Sequence, residues 1–287
     1  MTRARRRIIR YLIYAVIILL AVSLLNFWQA VRPPRISVDR TPSDFNLPDP
    51  EEVTLVARDG VQLSSWYFPA SEAESVIIWL HGYPAEKTDM LFLAAELWPD
   101  HSLFLKDFRY FGDSEGRATT LGLKEPGDIS RAVDWVAEKN YSEIALAGFS
   151  YGGAQAILAA GSDDRIKAVA SYSSYSDLRQ LGQEVVPFSP ILGPPIVSLM
   201  ELWARIIWQD IPTRTTPASI ITELDIPIWL AHDRKDDVID FSHAKQLAEA
   251  GAQNPNLETF FFSHGPHGAL PLSDFNRELA EFFNQAW

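Results

Sequence analysis

The chain has 287 residues with 47% apolar and 22% charged, a globular composition that excludes disorder, collagen and coiled coil. Its 25 Lys+Arg stand against 37 Asp+Glu, and residues 1–40 hold eight Arg and one acid, so this stretch is +7 and the net −12 leaves −19 on the rest; so acidic a body is ill suited to nucleic acid, whose phosphates require clustered Lys and Arg. There is no cysteine, which removes disulfides, thiolate metal sites and a lipidated anchor, and leaves only an oxygen or an amine as a nucleophile.

Arg3, Arg5, Arg6, Arg7 and Arg10 precede an apolar run from Tyr11 to Val31, long enough for a helix to cross a ~30 Å hydrocarbon core at about 1.5 Å per residue. A cleaved signal peptide would end in small residues, whereas this run ends in Asn26-Phe27-Trp28-Gln29-Ala30. The spacing therefore predicts a basic tail over 1–10, a transmembrane helix over 11–31 and, with five Arg before the run against Arg32, Arg35 and Arg40 after it, a cytoplasmic N-terminus with the remainder outside. Five prolines between 32 and 50 read as a stiff, extended spacer. From Glu51 onward strands alternate with helices. Val53–Ala57 and Val61–Phe68 flank Asp59-Gly60 as a hairpin, Val76–Leu80 is a strand buried on both faces, and Met90–Leu97 is helical. Leu103–Leu105 is a strand, Asp128–Lys139 an amphipathic helix, Ile144–Ala147 a strand, Gly153–Ala160 a helix and Ile166–Ala170 a strand. About 55 residues, 171–225, then form an insertion broken by Pro187, Pro190, Pro194 and Pro195. It carries a predicted helix over Ile196–Gln209 that is apolar on nearly every side, so some of Leu199, Met200, Trp203, Ile207 and Trp208 are expected to line an acyl pocket under a cap or to meet a membrane. Ile226–Ala231, Ala244–Ala250, Leu257–Phe262 and Phe275–Phe283 complete the pattern. This alternation implies an α/β class fold with a mostly parallel, doubly wound sheet, whose ligands gather at the C-terminal ends of the strands.

The chemistry centres on Gly148-Phe149-Ser150-Tyr151-Gly152, a G-x-S-x-G sequence between a strand and an Ala-rich helix. In that setting the glycines let the backbone turn tightly enough to lift Ser150 Oγ above the sheet. A serine needs a base, and His264 and His267, just past the last strand, both qualify. His243, beginning a helix, reads as a surface or capping residue, and His81 as a structural one. The loop after Ile226–Ala231 offers Asp233, Asp236, Asp237 and Asp240, most of which read as a solvated turn, while Asp107 and Arg109 read as a pair supporting their loop.

Five stretches together resemble the α/β-hydrolase superfamily, in the branch of membrane-anchored α/β-hydrolase-domain proteins that includes acyl-protein thioesterases and monoacylglycerol or lysophospholipid lipases. They are His81-Gly82-Tyr83, the stretch from Asp107 to Gly116, the Ser150 elbow, the Asp236 loop through His243, and Gly265-Pro266-His267. The resemblance covers residues 77–268 and implies an α/β-hydrolase fold over 51–287. It makes Ser150 the nucleophile and Asp236, two before Val238, the acid. His267 becomes the base, although Pro266 stands where the family has a glycine, and the backbone N–H groups of Tyr83 and Tyr151 form an oxyanion hole. It implies no metal or organic cofactor, and a lipid-like or small acyl ester or thioester as substrate. A peptidase of the same fold and a non-catalytic binding protein are the alternatives.

Overall fold

The most apolar run of the chain forms its longest element. In the computed structural model, which describes residues 3–37, 39–186 and 191–286, helix α1 spans Arg3–Val31. It starts inside the basic tail, because arginine is a good helix former and nothing there breaks the turn. Pro187 and Pro190 of the insertion lie outside the described residues, as do Met1, Thr2, Val38 and Trp287. The strands and helices that follow are β1 (Glu51–Val56), β2 (Gln62–Phe68), β3 (Ser75–Leu80), α2 (Leu91–Ala94), β4 (Ser102–Lys106), α3 (Glu125–Ala137), β5 (Glu143–Phe149), α4 (Tyr151–Ala160), β6 (Ile166–Tyr172), α5 (Leu178–Val185), α6 (Gly193–Trp208), α7 (Pro217–Ile220), β7 (Ile228–Asp233), α8 (Phe241–Ala250), β8 (Leu257–Phe262) and α9 (Leu272–Gln285).

These elements fall into two units, one made of Met1–Pro33 with Leu178–Arg214, the other of Pro34–Asp177 with Thr215–Trp287. The second holds an eight-stranded sheet in the order β1-β2-β4-β3-β5-β6-β7-β8. β1, β2 and β4 pair antiparallel, and every later pair is parallel. All six residues of β3 and all five of β4 are buried, as expected of strands covered on both faces. One layer over them comes from α9, whose Phe275, Leu279, Phe282 and Phe283 join Trp79, Leu105 and Trp229 in the core. On α3 the spacing of Ile129, Ala132, Val133 and Val136 places one buried apolar stripe toward the sheet.

The segment predicted as a free spacer is instead laid on this unit. Leu47 is buried and Phe45 packs on the core, two apolar side chains that an extended solvated linker would leave in water. Arg40 Nη1 lies 3.3 Å from Asp89 Oδ1, Ser37 Oγ lies 3.2 Å from Glu86 Oε1, and the Arg35 guanidinium sits 4.8 Å over the Tyr110 ring.

The first unit is helical. Ile196 and Val197 of α6 form with Val186 a small buried cluster, against which Leu19 and Val22 of α1 pack. Trp203 Nε1 donates to Ser23 Oγ at 3.0 Å, and the Trp208 ring lies 5.3 Å from that of Phe27. The helix read from sequence as a cap thus finds α1 as its partner within its unit. The polar stripe that the sequence hid among apolar neighbours is anchored by Arg179 of α5, which pairs with Glu201 at 2.5 Å and donates to Ser198 Oγ at 3.0 Å.

Candidate active site

The sheet delivers three loops to the C-terminal ends of its central parallel strands. After β5 the chain turns into α4 through Ser150, whose φ of 55° and ψ of −115° lie in a region that costs an L-residue about 1–3 kcal/mol. The turn is this tight because helix and strand almost touch. A Cβ on Gly152 would stand 2.1 Å from the Leu80 carbonyl oxygen, and one on Gly148 would stand 2.4 Å from the Gly152 backbone, so neither position admits a larger residue. The helix therefore begins at Tyr151, two residues earlier than the glycine pair suggested from sequence, and the Ser150 N–H donates to the Tyr172 carbonyl at 2.7 Å.

The loop after β7 brings Asp236, and the loop after β8 brings His267. The Asp236 Oδ2 atom accepts from His267 Nδ1 at 2.7 Å, and His267 Nε2 lies 3.0 Å from Ser150 Oγ. With its proton on Nδ1, the imidazole presents the Nε2 lone pair to the serine hydroxyl. The other carboxylate oxygen, Oδ1, accepts the Val238 and Ile239 N–H groups at 3.0 and 2.8 Å. Burial would raise the Asp236 carboxyl, yet the His267 ring and these two N–H groups hold it below the ordinary carboxylate range. The His267 ring packs 4.9 Å from that of Phe149. His264 is exposed and contributes its backbone N–H to Asp233 rather than a side chain to Ser150.

Several residues set aside at the sequence level act on this site through its loops. Asp233, read as part of a solvated turn, is buried and accepts the N–H groups of His264 and Gly265 at 2.8 and 2.7 Å, while Asp237 accepts that of His267 at 3.0 Å. The acidic loop thus holds the histidine loop by its backbone. A carboxylate ending an otherwise apolar strand was the available signal. His243 is fully buried rather than on the surface, with Nδ1 2.8 Å from Ser176 Oγ. His232, also buried, donates Nε2–H to the Ile239 carbonyl at 2.9 Å and is kept neutral by burial. Asp107 and Arg109 are not each other's partners. Lys87 Nζ lies 2.7 Å from Asp107, whereas Arg109 forks onto Asp128 at 2.6 and 2.7 Å and reaches Asp59 at 2.9 Å. Glu125, unremarked in the sequence, is fully buried and accepts from Thr119, Thr120 and Gly122.

Tyr83 follows Gly82 in the loop after β3. A Cβ on Gly82 would come 2.7 Å from the Phe149 ring, so this loop lies directly on the elbow. Tyr151 opens α4, and its N–H is among those that a helix's first turn leaves without an intrahelical carbonyl. Beside the elbow is a cavity of about 110 Å³ lined by Met90, Phe92, Leu93, Phe149, Tyr172 and Gly268, with Arg40 and Asp89 on its polar side. None of Leu199, Met200, Trp203, Ile207 and Trp208, the α6 residues of which some were expected to line an acyl pocket or meet a membrane, contributes to that lining. Among the described residues, no group of three or more His, Cys, Asp or Glu is placed to hold a metal ion.

Residues 103–185, which include the elbow, match the X-Pro dipeptidyl-peptidase (S15) family. The chain superposes on the Pyrococcus furiosus esterase Pf2001 with a TM-score of 0.73 at 21% identity, covering 89% of this chain and 99% of that one. The chain has the α/β-hydrolase fold. Among its relatives are the uncharacterized protein YfhR of Escherichia coli K12, 28% identical over 70% of this chain and 69% of YfhR, and an uncharacterized membrane protein of Saccharomyces cerevisiae, 23% identical over 82% of this chain and 78% of the yeast protein. The hydroxyl, imidazole and carboxylate of this chain are arranged for proton withdrawal from Ser150 and attack by its oxygen on an electrophilic carbon.

Proposed function

We propose that this serine hydrolase cleaves carboxylic esters or thioesters of lipophilic acyl groups and is held at a membrane by α1. The observation that carries the reading is the continuous chain Ser150 Oγ, His267 Nε2, His267 Nδ1, Asp236 Oδ2, at 3.0 and 2.7 Å, with the serine on a strained elbow. His267 takes the Ser150 proton as Oγ bonds to the acyl carbon. The oxyanion is met by the Tyr83 and Tyr151 N–H groups, and the imidazolium returns its proton to the departing alkoxide or thiolate. Water, deprotonated by His267, then cleaves the acyl-enzyme and frees Ser150. Asp236 holds the imidazole in the Nδ1–H tautomer and stabilises its charged form without taking up the proton itself.

The apolar cavity beside the elbow supports a hydrocarbon acyl group. Anchoring is supported by a helix long and apolar enough to cross a membrane and by the yeast membrane relative, and the basic tail supports a cytoplasmic N-terminus. A peptidase reading is favoured by the match to the X-Pro dipeptidyl-peptidase family.

The test uses the full chain in detergent, with a fluorophosphonate probe and paired p-nitrophenyl esters and aminoacyl p-nitroanilides. We expect labelling and ester hydrolysis in the wild type and neither in Ser150→Ala. Labelling that persists in Ser150→Ala would move the nucleophile, and faster release from the anilides would make the chain a peptidase.

A further inference from the structure

Helix α6 has three faces rather than two. Gly193, Ile196, Val197 and Ala204 are buried within its unit. Ser198, Glu201 and Arg205 form a polar stripe at i, i+3 and i+7. About 100° round the helix from them, Leu199, Leu202 and Ile206 repeat the same spacing, with Ile207 on the far side of that stripe, and Leu202, Ile206 and Ile207 are 44%, 60% and 54% exposed. A helix docked on one side against protein and facing water elsewhere has no use for a second apolar stripe. The end of α5 and the residues just before α6 repeat the anomaly: Val185, Ile191 and Leu192 are exposed, Ile191 to 82%.

What covers this stripe follows from what α6 packs against. Its contacts climb α1 in register, with Ile196 and Val197 at the level of Leu19 and Val22, Trp203 at Ser23, and Trp208 at Phe27. The two helices therefore run parallel, and the end of α6 that carries Ile191 and Leu192 lies deepest along α1. Leu19 to Phe27 belongs to the run that makes α1 long and apolar enough to span a bilayer, a run that is itself exposed at Ile17, Ile18, Leu24 and Leu25. A segment packed along that stretch lies at the same depth as the stretch. The exposed stripe of α6 continues the exposed surface of α1 rather than interrupting it.

We propose that the α5–α6 hairpin is a second membrane-embedded element, inserted from one side into the acyl region beside α1, with Val185, Ile191, Leu192, Leu202, Ile206 and Ile207 against lipid chains and the Ser198–Glu201–Arg205 stripe turned away from them. This rests on the reading of α1 as the anchor. At about 25 cal/mol per Å² of apolar surface, six large side chains removed from water hold the insertion to the bilayer whether or not substrate is present.

The lack of native cysteine makes the test direct. Single-Cys variants at Ile17, Arg205, Ile191, Leu202, Ile206 and the exposed sheet residue Glu258 are labelled with bimane in full-length protein and reconstituted into vesicles with or without brominated acyl chains. We expect bromolipid quenching at 191, 202 and 206 as strong as at 17, and little at 205 and 258. Quenching at 17 without quenching at 191, 202 and 206 would overturn the hairpin insertion while leaving the anchor. No quenching at 17 would overturn the anchor and the insertion with it. Equal quenching at 205 and 206 would overturn the two-sided orientation. Loss of impermeant-maleimide reactivity at 202 and 206 without quenching would mean that a second protein surface, not lipid, covers the stripe.

Discussion

The cavity beside the elbow is partly open, and its volume limits how much of an acyl chain can be buried in it. Its volume is about 110 Å³, and at about 30 Å³ for a group of water size it holds roughly four heavy atoms. It is somewhat smaller than the ~150 Å³ apolar cavity that accepts benzene in another protein. An acetyl group leaves most of it empty, and each added methylene buried there contributes about 0.8 kcal/mol, nearly fourfold. If the transition state keeps the contact, kcat/KM should rise on the order of a hundredfold between acetate and a five- or six-carbon ester, then level off. Phe92 lines the cavity and is only partly buried, so Phe92→Ala enlarges the site at less cost than truncating a core residue. The plateau should then move several carbons toward longer chains while the acetate rate changes little. The assay is initial-rate kinetics on p-nitrophenyl esters from two to twelve carbons, for wild type and variant, below the critical micelle concentration of each substrate. A wild-type profile that is flat, or that still climbs beyond eight carbons, would show that the cavity is not the acyl site. An unmoved plateau in Phe92→Ala would show that Phe92 is not its wall.

Four further outcomes follow from the geometry. Asp236→Asn should cost on the order of 10⁴-fold in kcat by favouring the wrong imidazole tautomer, and His267→Ala should cost far more than His264→Ala; the reverse ranking would reassign the base. Gly152→Ala drives a Cβ into the Leu80 carbonyl and should destabilise by about 4 kcal/mol or more. Gly127→Ala in α3 meets nothing within 4 Å and should be neutral or mildly stabilising in the same urea titration. Burial lowers His81 from the ordinary 6.5 to about 4, against the smaller opposing pull of Asp107 and of the Gly82 carbonyl, and the neutral ring accepts the Phe108 N–H at the nitrogen that a second proton would need. Since the unfolded chain binds the proton first, stability is full above 6.5 and falls by about 3 kcal/mol as pH drops toward 4, a slope that His81→Gln should reduce and that an unchanged slope would contradict. In intact cells whose outer barrier is permeable, protease should reach the domain beyond Glu51, and full protection would invert the assigned topology.

Elements whose side chains all answer to one environment could be read in advance. The continuous apolar run of β3 and the single stripe of α3 each satisfy one period and one face. The serine elbow was legible because two glycines forced by backbone contact flank it. Where a residue serves two masters the sequence misleads. Asp233 ends a buried strand yet binds the backbone of a loop 31 and 32 residues away, and nothing local distinguishes it from Asp240, which caps α8 through Ser242. Arg109 and Asp128 meet across 19 residues, so the adjacent Asp107 looked like the partner. His243 begins a helix, where a cap is expected, and only the fold reveals Ser176 behind it. On α6 a second apolar stripe lies beside the buried one and leaves only a narrow polar stripe between them, which made the helix read as almost uniformly apolar.

The hydrogen bond from Trp203 to Ser23 joins residues 180 apart in the chain. During synthesis at about 5–20 residues per second, α1 is complete roughly 10–35 seconds before its helical partner emerges. For that interval the face of α1 bearing Leu19, Val22, Ser23 and Phe27 has no intramolecular cover. The insertion must also be completed before β7 can take its place beside β6, since α5 and α6 lie between those strands in the chain. Biogenesis of this chain is therefore a matter of timing, in which assembly of the helical pair and closure of the sheet are both delayed until the insertion is made.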